Sequence, residues 1–230
     1  MPPMPHAPFL APHDLMRIEG SALRFEGTPP DWAVAALAAA PWVVHRRREW
    51  QAGLVPVGVR GGLRRERAAA WIPVEAIQEV KRPRDLVAAC RTGIPLRDLP
   101  ALRSLVLACD IFTAIDLEDW GPGGSVGFEL VTGCPTVTPE SDLDLILWAA
   151  RPLPDGLGLR LLQDLSGLPA RADLVIETPR GAVALAEYAE GGAVLLRRPE
   201  GPVLLSGPAA IWEREPCPKM GPEQEKERPR

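Results

Sequence analysis

Cysteine and histidine are scarce in this chain, with four and three copies in 230 residues. Cys90, Cys109, Cys134 and Cys217 are scattered and form no C-x-x-C pair, and His6, His13 and His45 lie far from them. That argues against a structural zinc site and against a disulfide framework. Long apolar runs are also missing, so no segment reads as a bilayer span, and no signal peptide opens the chain. A cytoplasmic protein without a membrane partner is the expectation. A large excess of either charge is missing too, with 26 Lys and Arg against 30 Asp and Glu. The net charge of -4 excludes a generic nucleic-acid binder, although Arg46 to Arg67 is locally basic and the middle of the chain acidic. There is no internal repeat. Between Gly121 and Gly133 there is no lysine, so the P-loop pattern fails. Val126 stands where a dinucleotide fingerprint needs its third glycine, so that pattern fails as well.

What is present is enough apolar residue, 46%, for a real core, punctuated by 27 prolines. The length suits one large domain or two small ones. Residues 1–12 read as a flexible Pro-rich arm and 213–230 as a disordered charged tail. Between them, 13–82 reads as a smaller N-terminal α+β domain and 83–212 as a second domain. Thr28-Pro-Pro-Asp31 starts a helix running from Trp32 to Ala39. Strands are expected at Trp42 to His45, at Leu54 to Val59 and at Ala68 to Ile72, with Pro56 placing the second at an edge or a strand end. Residues 83–117 are helical in pattern, with Leu99, Leu102, Leu105, Val106 and Cys109 at helical spacing. Further strands are expected at 125–131, 142–148, 172–177 and 193–198. An amphipathic helix from Gly156 to Leu165, N-capped by Asp155, lies between the second and third. That order predicts an α+β fold, a small mixed sheet with helices packed on it.

The chemistry concentrates in Gly124-Ser125 and Ser141-Asp142-Leu-Asp144. Gly124 lets a phosphate approach the backbone, and Ser125 offers a hydroxyl and an N–H. In a strand, Asp142 and Asp144 point the same way, about 6–7 Å apart. Paired carboxylates of this kind suit divalent ions in phosphoryl transfer. A third carboxylate is expected from a neighbouring strand, and Asp173 and Glu177 compete for it. The basic run Arg46, Arg47, Arg48, Arg60, Arg64, Arg65 and Arg67 reads either as a solvated surface or as a polyanion site. Arg60, where a strand meets a glycine turn, is the favoured substrate contact. His13 and His45 read as structural or as donors near a substrate. Trp42, Trp71 and Trp148 read as core, with base stacking the alternative. Cys134 reads as incidental.

Gly124-Ser125…Ser141-Asp142-Leu-Asp144-Leu145 resembles the hallmark of the DNA polymerase β-type nucleotidyltransferase superfamily. More narrowly, the chain resembles the malonate decarboxylase holo-acyl-carrier-protein synthases, or phosphoribosyl-dephospho-CoA transferases. The resemblance rests on His13-Asp-Leu15, Pro41-Trp-Val-Val44, Val55-Pro-Val-Gly-Val-Arg-Gly61, Gly124-Ser-Val-Gly127, Thr132-Gly133, Ser141 to Leu145 and Glu177-Thr-Pro-Arg-Gly-Ala-Val-Ala-Leu185. It implies a polymerase β-like catalytic domain at 83–212 and a substrate-binding domain at 13–82. It also implies a donor, 2′-(5″-triphosphoribosyl)-3′-dephospho-CoA, and an acceptor, a serine of the apo acyl-carrier subunit of malonate decarboxylase. Asp142, Asp144 and Asp173 would hold two Mg²⁺ (or Mn²⁺) ions and carry catalysis. Gly124, Ser125, Ser141 and Arg60 would bind the donor. Another acceptor, such as a citrate lyase carrier or a small-molecule hydroxyl, stays open here. So does a non-catalytic module that binds a nucleotide or CoA-like ligand.

Overall fold

The structure, a computed structural model, describes residues 10–63, 65–88 and 97–213. Strands β1 (Leu15–Ile18), β2 (Arg24–Phe25), β3 (Trp42–His45), β4 (Leu54–Arg60), β5 (Arg67–Pro73) and β6 (Ile77–Lys81) form one six-stranded sheet. Its order is β2-β5-β4-β3-β1-β6, and all neighbours are antiparallel. Alternation decides its two faces. Met16, Ile18, Val43, Val55, Val57, Val59, Ala70 and Ile72 bury together with Ala33 of helix α1 (Asp31–Ala39). The alternate positions Leu15, Val44, Gly58, Arg60, Arg67 and Ala69 line a cleft on the other side.

Strands β7 (Trp120–Pro122), β8 (Leu143–Trp148), β9 (Ala172–Thr178), β10 (Gly181–Ala184), β11 (Val194–Arg198) and β12 (Gly201–Leu205) form the second sheet, in the order β12-β11-β10-β9-β8-β7. It is mixed, as expected: β8 and β9 are parallel and the other pairs antiparallel. Parallel strands need a crossover, and the amphipathic helix over Leu157–Ser166 supplies it. The helices associated with this sheet are α2 (Pro100–Ala114), α3 (Gly124–Thr132), α4 (Leu157–Ser166) and α5 (Leu185–Glu190). Leu102, Leu105 and Phe112 of α2, Leu161 and Leu165 of α4, and Leu143, Leu145 and Leu147 of β8 share its core. A smaller apolar patch of Leu15, Ala40, Trp42 and Phe128 joins the two sheets' elements.

Several expectations need correction. Residues 125–131 are not a strand but most of helix α3. Val126, Phe128 and Leu130 alternate as a strand would, and a short run cannot separate the two periods. Glycine at both ends supplies the helix punctuation: Gly123 is the N-cap and Gly133, at φ 69°, the left-handed C-cap. Pro56 is not at a sheet edge, because β4 lies between β3 and β5. It sits where the β3 ladder runs out, and its carbonyl accepts the Arg46 N–H at 2.9 Å. Val106 is 42% exposed, at the margin of the face of α2 that buries Leu102, Leu105 and Cys109. Helix α4 is capped by Gly156 at φ 76°, not by Asp155. Most of the expected arm and tail, together with Arg64 and Cys90, lies outside the described residues.

Candidate active site

Helix α3 points its N-terminus at β8. The Gly123 N–H donates to the Asp144 carbonyl at 2.9 Å. Gly124 has φ +54°, and a Cβ there would collide with the Asp144 carboxylate. Only glycine lets the helix start this close to the acid. Ser125 is buried, and its carbonyl accepts the Thr136 hydroxyl at 3.0 Å. The Gly-Ser pair, expected where a glycine break enters a strand, therefore sits at a helix N-terminus, where unpaired N–H groups and the helix dipole favour anions.

Asp142 precedes β8, Asp144 lies within it, and Asp173 on β9 is the direct partner of Asp144 in the parallel register. All three line one cavity of about 300 Å³ with Arg60, Ser125 and Ser141. Burial and the charges of Asp173 and Asp142 push the Asp144 carboxyl up, with Arg60 and His13 opposing. The group is open to the cleft yet deep between its walls. Asp173 also accepts from Arg171, at 2.9 and 3.1 Å. Ser141 is held in a turn, its hydroxyl oxygen accepting the Thr138 N–H at 2.9 Å. Arg60 lies 5.9 Å over the Phe128 ring. Its Nε is buried without a hydrogen-bond partner. Burial and neighbouring Arg67 lower its pKa to about 10, with Asp144 opposing. Among the described residues, no group of three or more His, Cys, Asp or Glu side chains is placed to enclose a metal ion.

Glu177 lies elsewhere. It stands four residues beyond Asp173, opposite Trp148, or about 13 Å along the strand. It is 7% exposed and ties the sheets together, accepting from Arg47 and pairing with His13 Nε2 at 3.0 Å. Burial pushes its carboxyl up, but the His13 hydrogen bond and the Arg47 charge outweigh this and hold it low. His13 thus bridges the two sheets, from a residue at φ 76°.

Sequence reasoning missed one carboxylate beside the site, Glu129 of α3. Its Oε2 accepts the N–H groups of Thr136 and Val137 at 2.9 and 2.8 Å, and both oxygens take Arg97, at 2.9 and 2.6 Å. Burial raises its pKa, and Arg97 with the two N–H groups brings it below the usual range. This brace fixes the loop that leads to Ser141 and Asp142. No sequence signal marked it, because Arg97 is 32 positions away.

The remaining candidates do not line the cavity of the three aspartates. His45 is buried with both ring nitrogens unpartnered, and burial lowers its pKa. Trp42 and Trp71 are buried, as expected of core. Trp148 is half-buried, with the Arg84 guanidinium 4.9 Å above its ring. Cys134 is a free thiol beside the apolar patch between the sheets.

A helix N-terminus beside three carboxylates does not by itself name a family. Comparison with known proteins decides the family. The pattern of the phosphoribosyl-dephospho-CoA transferase MdcG N-terminal domain matches residues 11–83, and that of the MdcG C-terminal domain matches residues 85–208. The chain belongs to the phosphoribosyl-dephospho-CoA transferase family. It is 43% identical over 205 residues to the phosphoribosyl-dephospho-CoA transferase of Pseudomonas aeruginosa PAO1, covering 89% of this chain and 96% of that one. The Azotobacter vinelandii protein of the same name is 40% identical, covering 86% and 93%, and the Klebsiella pneumoniae one 35%, covering 89% and 97%. No solved structure matches. The family is one of transferase enzymes, and no helix among the described residues is long and apolar enough to cross a membrane.

Proposed function

We propose that this protein transfers the phosphoribosyl-dephospho-CoA group from 2′-(5″-triphosphoribosyl)-3′-dephospho-CoA to a serine of the apo acyl-carrier subunit of malonate decarboxylase, in the cytoplasm. A phosphodiester forms and pyrophosphate leaves. Family membership supports the transfer. The observation that carries the site is the juxtaposition of Asp144 with the Gly124 helix N-terminus, with Asp142, Asp173, Arg60, Ser125 and Ser141 around one cavity.

The α3 N-terminus and the Ser125 N–H receive the triphosphate, and Arg60 supplies the guanidinium charge. Asp173, opposite Asp144, accepts the proton of the carrier serine. The serine oxygen forms its bond to the α-phosphorus as the bond to pyrophosphate breaks on the far side. The helix N-terminus holds the charge that develops on the leaving group. Mg²⁺ or Mn²⁺ suits this donor set in kind, since it offers hard carboxylate oxygens and crowds negative charge around Asp144. The three carboxylates do not close a shell by themselves, and phosphate oxygens of the donor would complete it. Asp142 and Asp144, with Asp173, would hold it. When bound, such ions supply Lewis-acid neutralisation of phosphate charge and acidify an attacking hydroxyl.

Pyrophosphate release tests this reading. Wild-type protein with donor, Mg²⁺ and apo carrier should release one pyrophosphate per carrier, and Asp142→Ala none. Release that does not depend on the carrier would replace the acceptor. No release from any carrier would contradict the proposal.

A further inference from the structure

The cleft between the two sheets holds about 620 Å³, a volume suited to a small-molecule ligand. Its two walls are built in matching rows. On the first sheet, Leu15, Val44, Gly58 and Ala69 are successive cross-strand partners over β1, β3, β4 and β5. They make an apolar row that is flat at Gly58 and Ala69. Two residues along, about 6.6 Å away, the next row is the pair Arg60 and Arg67. On the second sheet, Asp144 pairs with Asp173, and the following row is Ile146 with Val175. Arginines therefore share the acidic end of the cleft with the carboxylates. Beside them lies a slot with apolar side chains on both walls.

A third cation, Arg46, stems from the row on the other side of the slot. Antiparallel pairing puts it level with Pro56, away from Arg60. Its Cγ and Cδ lie across Gly58, 3.7 Å from where a Cβ would stand. Its guanidinium reaches Glu26 only at 3.4 Å, in an exposed pair, while Glu26 is held more closely by Arg48 at 2.6 Å. An exposed pair of this kind contributes little. Arg46 can exchange it for a phosphate while Glu26 keeps its other partner.

We infer that this slot binds the adenosine of the donor, with its 5′-diphosphate on Arg46 and its 2′-linked triphosphoribosyl group running to Arg60, Arg67 and the α3 N-terminus. The inference rests on the donor proposed above. It follows from the order cation, flat apolar row, cation, which matches a planar base and ribose carrying anionic groups on both sides. Gly58 and Ala69 add little bulk of their own, so a ring fits here once the Arg46 stem leaves Gly58 to follow a phosphate, and Ile146 and Val175 line the other wall.

The test is direct binding to the full chain, which needs no turnover. The ligands are 3′-dephospho-CoA, which has the adenosine and diphosphate, and inorganic tripolyphosphate, which has only the other anionic group. Ala69→Leu fills the slot, and Arg46→Gln removes the distal cation without touching the core. Each should weaken dephospho-CoA binding at least tenfold and leave tripolyphosphate binding within twofold. Near-ultraviolet circular dichroism should show both variants folded. Unchanged dephospho-CoA affinity in Arg46→Gln and in folded Ala69→Leu would overturn the slot. So would a wild-type protein that modifies a carrier yet does not bind dephospho-CoA. A wild-type protein that neither binds it nor modifies a carrier would instead overturn the donor assignment beneath it.

Discussion

At the residue scale, the proposed transfer depends on Asp142, Asp144 and Gly124. Asp142→Ala and Asp144→Ala should each reduce transfer by roughly 10³-fold or more, as when charge stabilisation is removed from phosphoryl transfer. The fold should survive, because Asp144 is open to the cleft. Steady-state rates beside a circular-dichroism melt check both. Gly124→Ala should cost about 1–2 kcal/mol for the left-handed backbone alone, and it should displace the Asp144 carboxylate. A melt and a rate assay should show activity lost well before stability. Asp14 predicts a pH effect. It is fully buried, and one carboxyl oxygen accepts the Ala11 N–H while the other has no partner. Burial raises its pKa from 3.8 to about 6, against the charges of Arg82 and Arg84. The folded state then holds a proton that the unfolded state has released, so stability falls as pH rises from about 4 to 6. The loss is on the order of 2–3 kcal/mol, and denaturant midpoints of Asp14→Asn should lack it. The Asp pair and the Gly-Ser pair were legible because their spacing alone carries chemistry. The roles of Glu177 and Glu129 were not, because their partners lie as far as 164 positions away.

At the element scale, α3 teaches the most. Its local alternation read as a strand, while the glycines that end it read only as a break. The strands carrying Asp144 and Asp173 were legible because apolar residues flank the acids and bury in the core. Short strands with little pattern of their own, such as β2, β7 and β10, form because neighbours pair with them. The Glu129 brace gives the element-scale prediction. Glu129→Gln weakens the grip on Arg97, Thr136 and Val137, and should cost about 1–3 kcal/mol. Because it loosens the loop before Asp142, turnover should fall while donor affinity measured on a carrier-free sample changes little. Unchanged turnover at the lowered stability would confine Glu129 to a structural role.

At the scale of the whole molecule, two sheets face each other across the cleft, joined by the Trp42–Phe128 patch and by Glu177 with His13 and Arg47. Local sequence pattern says nothing about how two sheets meet, which is why the cleft emerged only from the structure. Glu177→Gln should destabilise the protein by about 3 kcal/mol, the scale for breaking a buried ion pair. Its pKa is held below the ordinary 4.5, so its contribution is complete above that pH and disappears as pH falls through the folded-state value. The variant should therefore show a shallower acid limb than the wild type, a slope opposite in sign to that of Asp14. The proposed reaction transfers an intact prosthetic group to a carrier serine. Its most direct measurement is the intact mass of purified apo malonate decarboxylase carrier subunit after incubation with this protein, donor and Mg²⁺, beside an Asp142→Ala control. A gain equal to the donor minus pyrophosphate, on the serine and absent from the control, is the predicted result. An unmodified carrier, or equal gain in the control, would contradict the account.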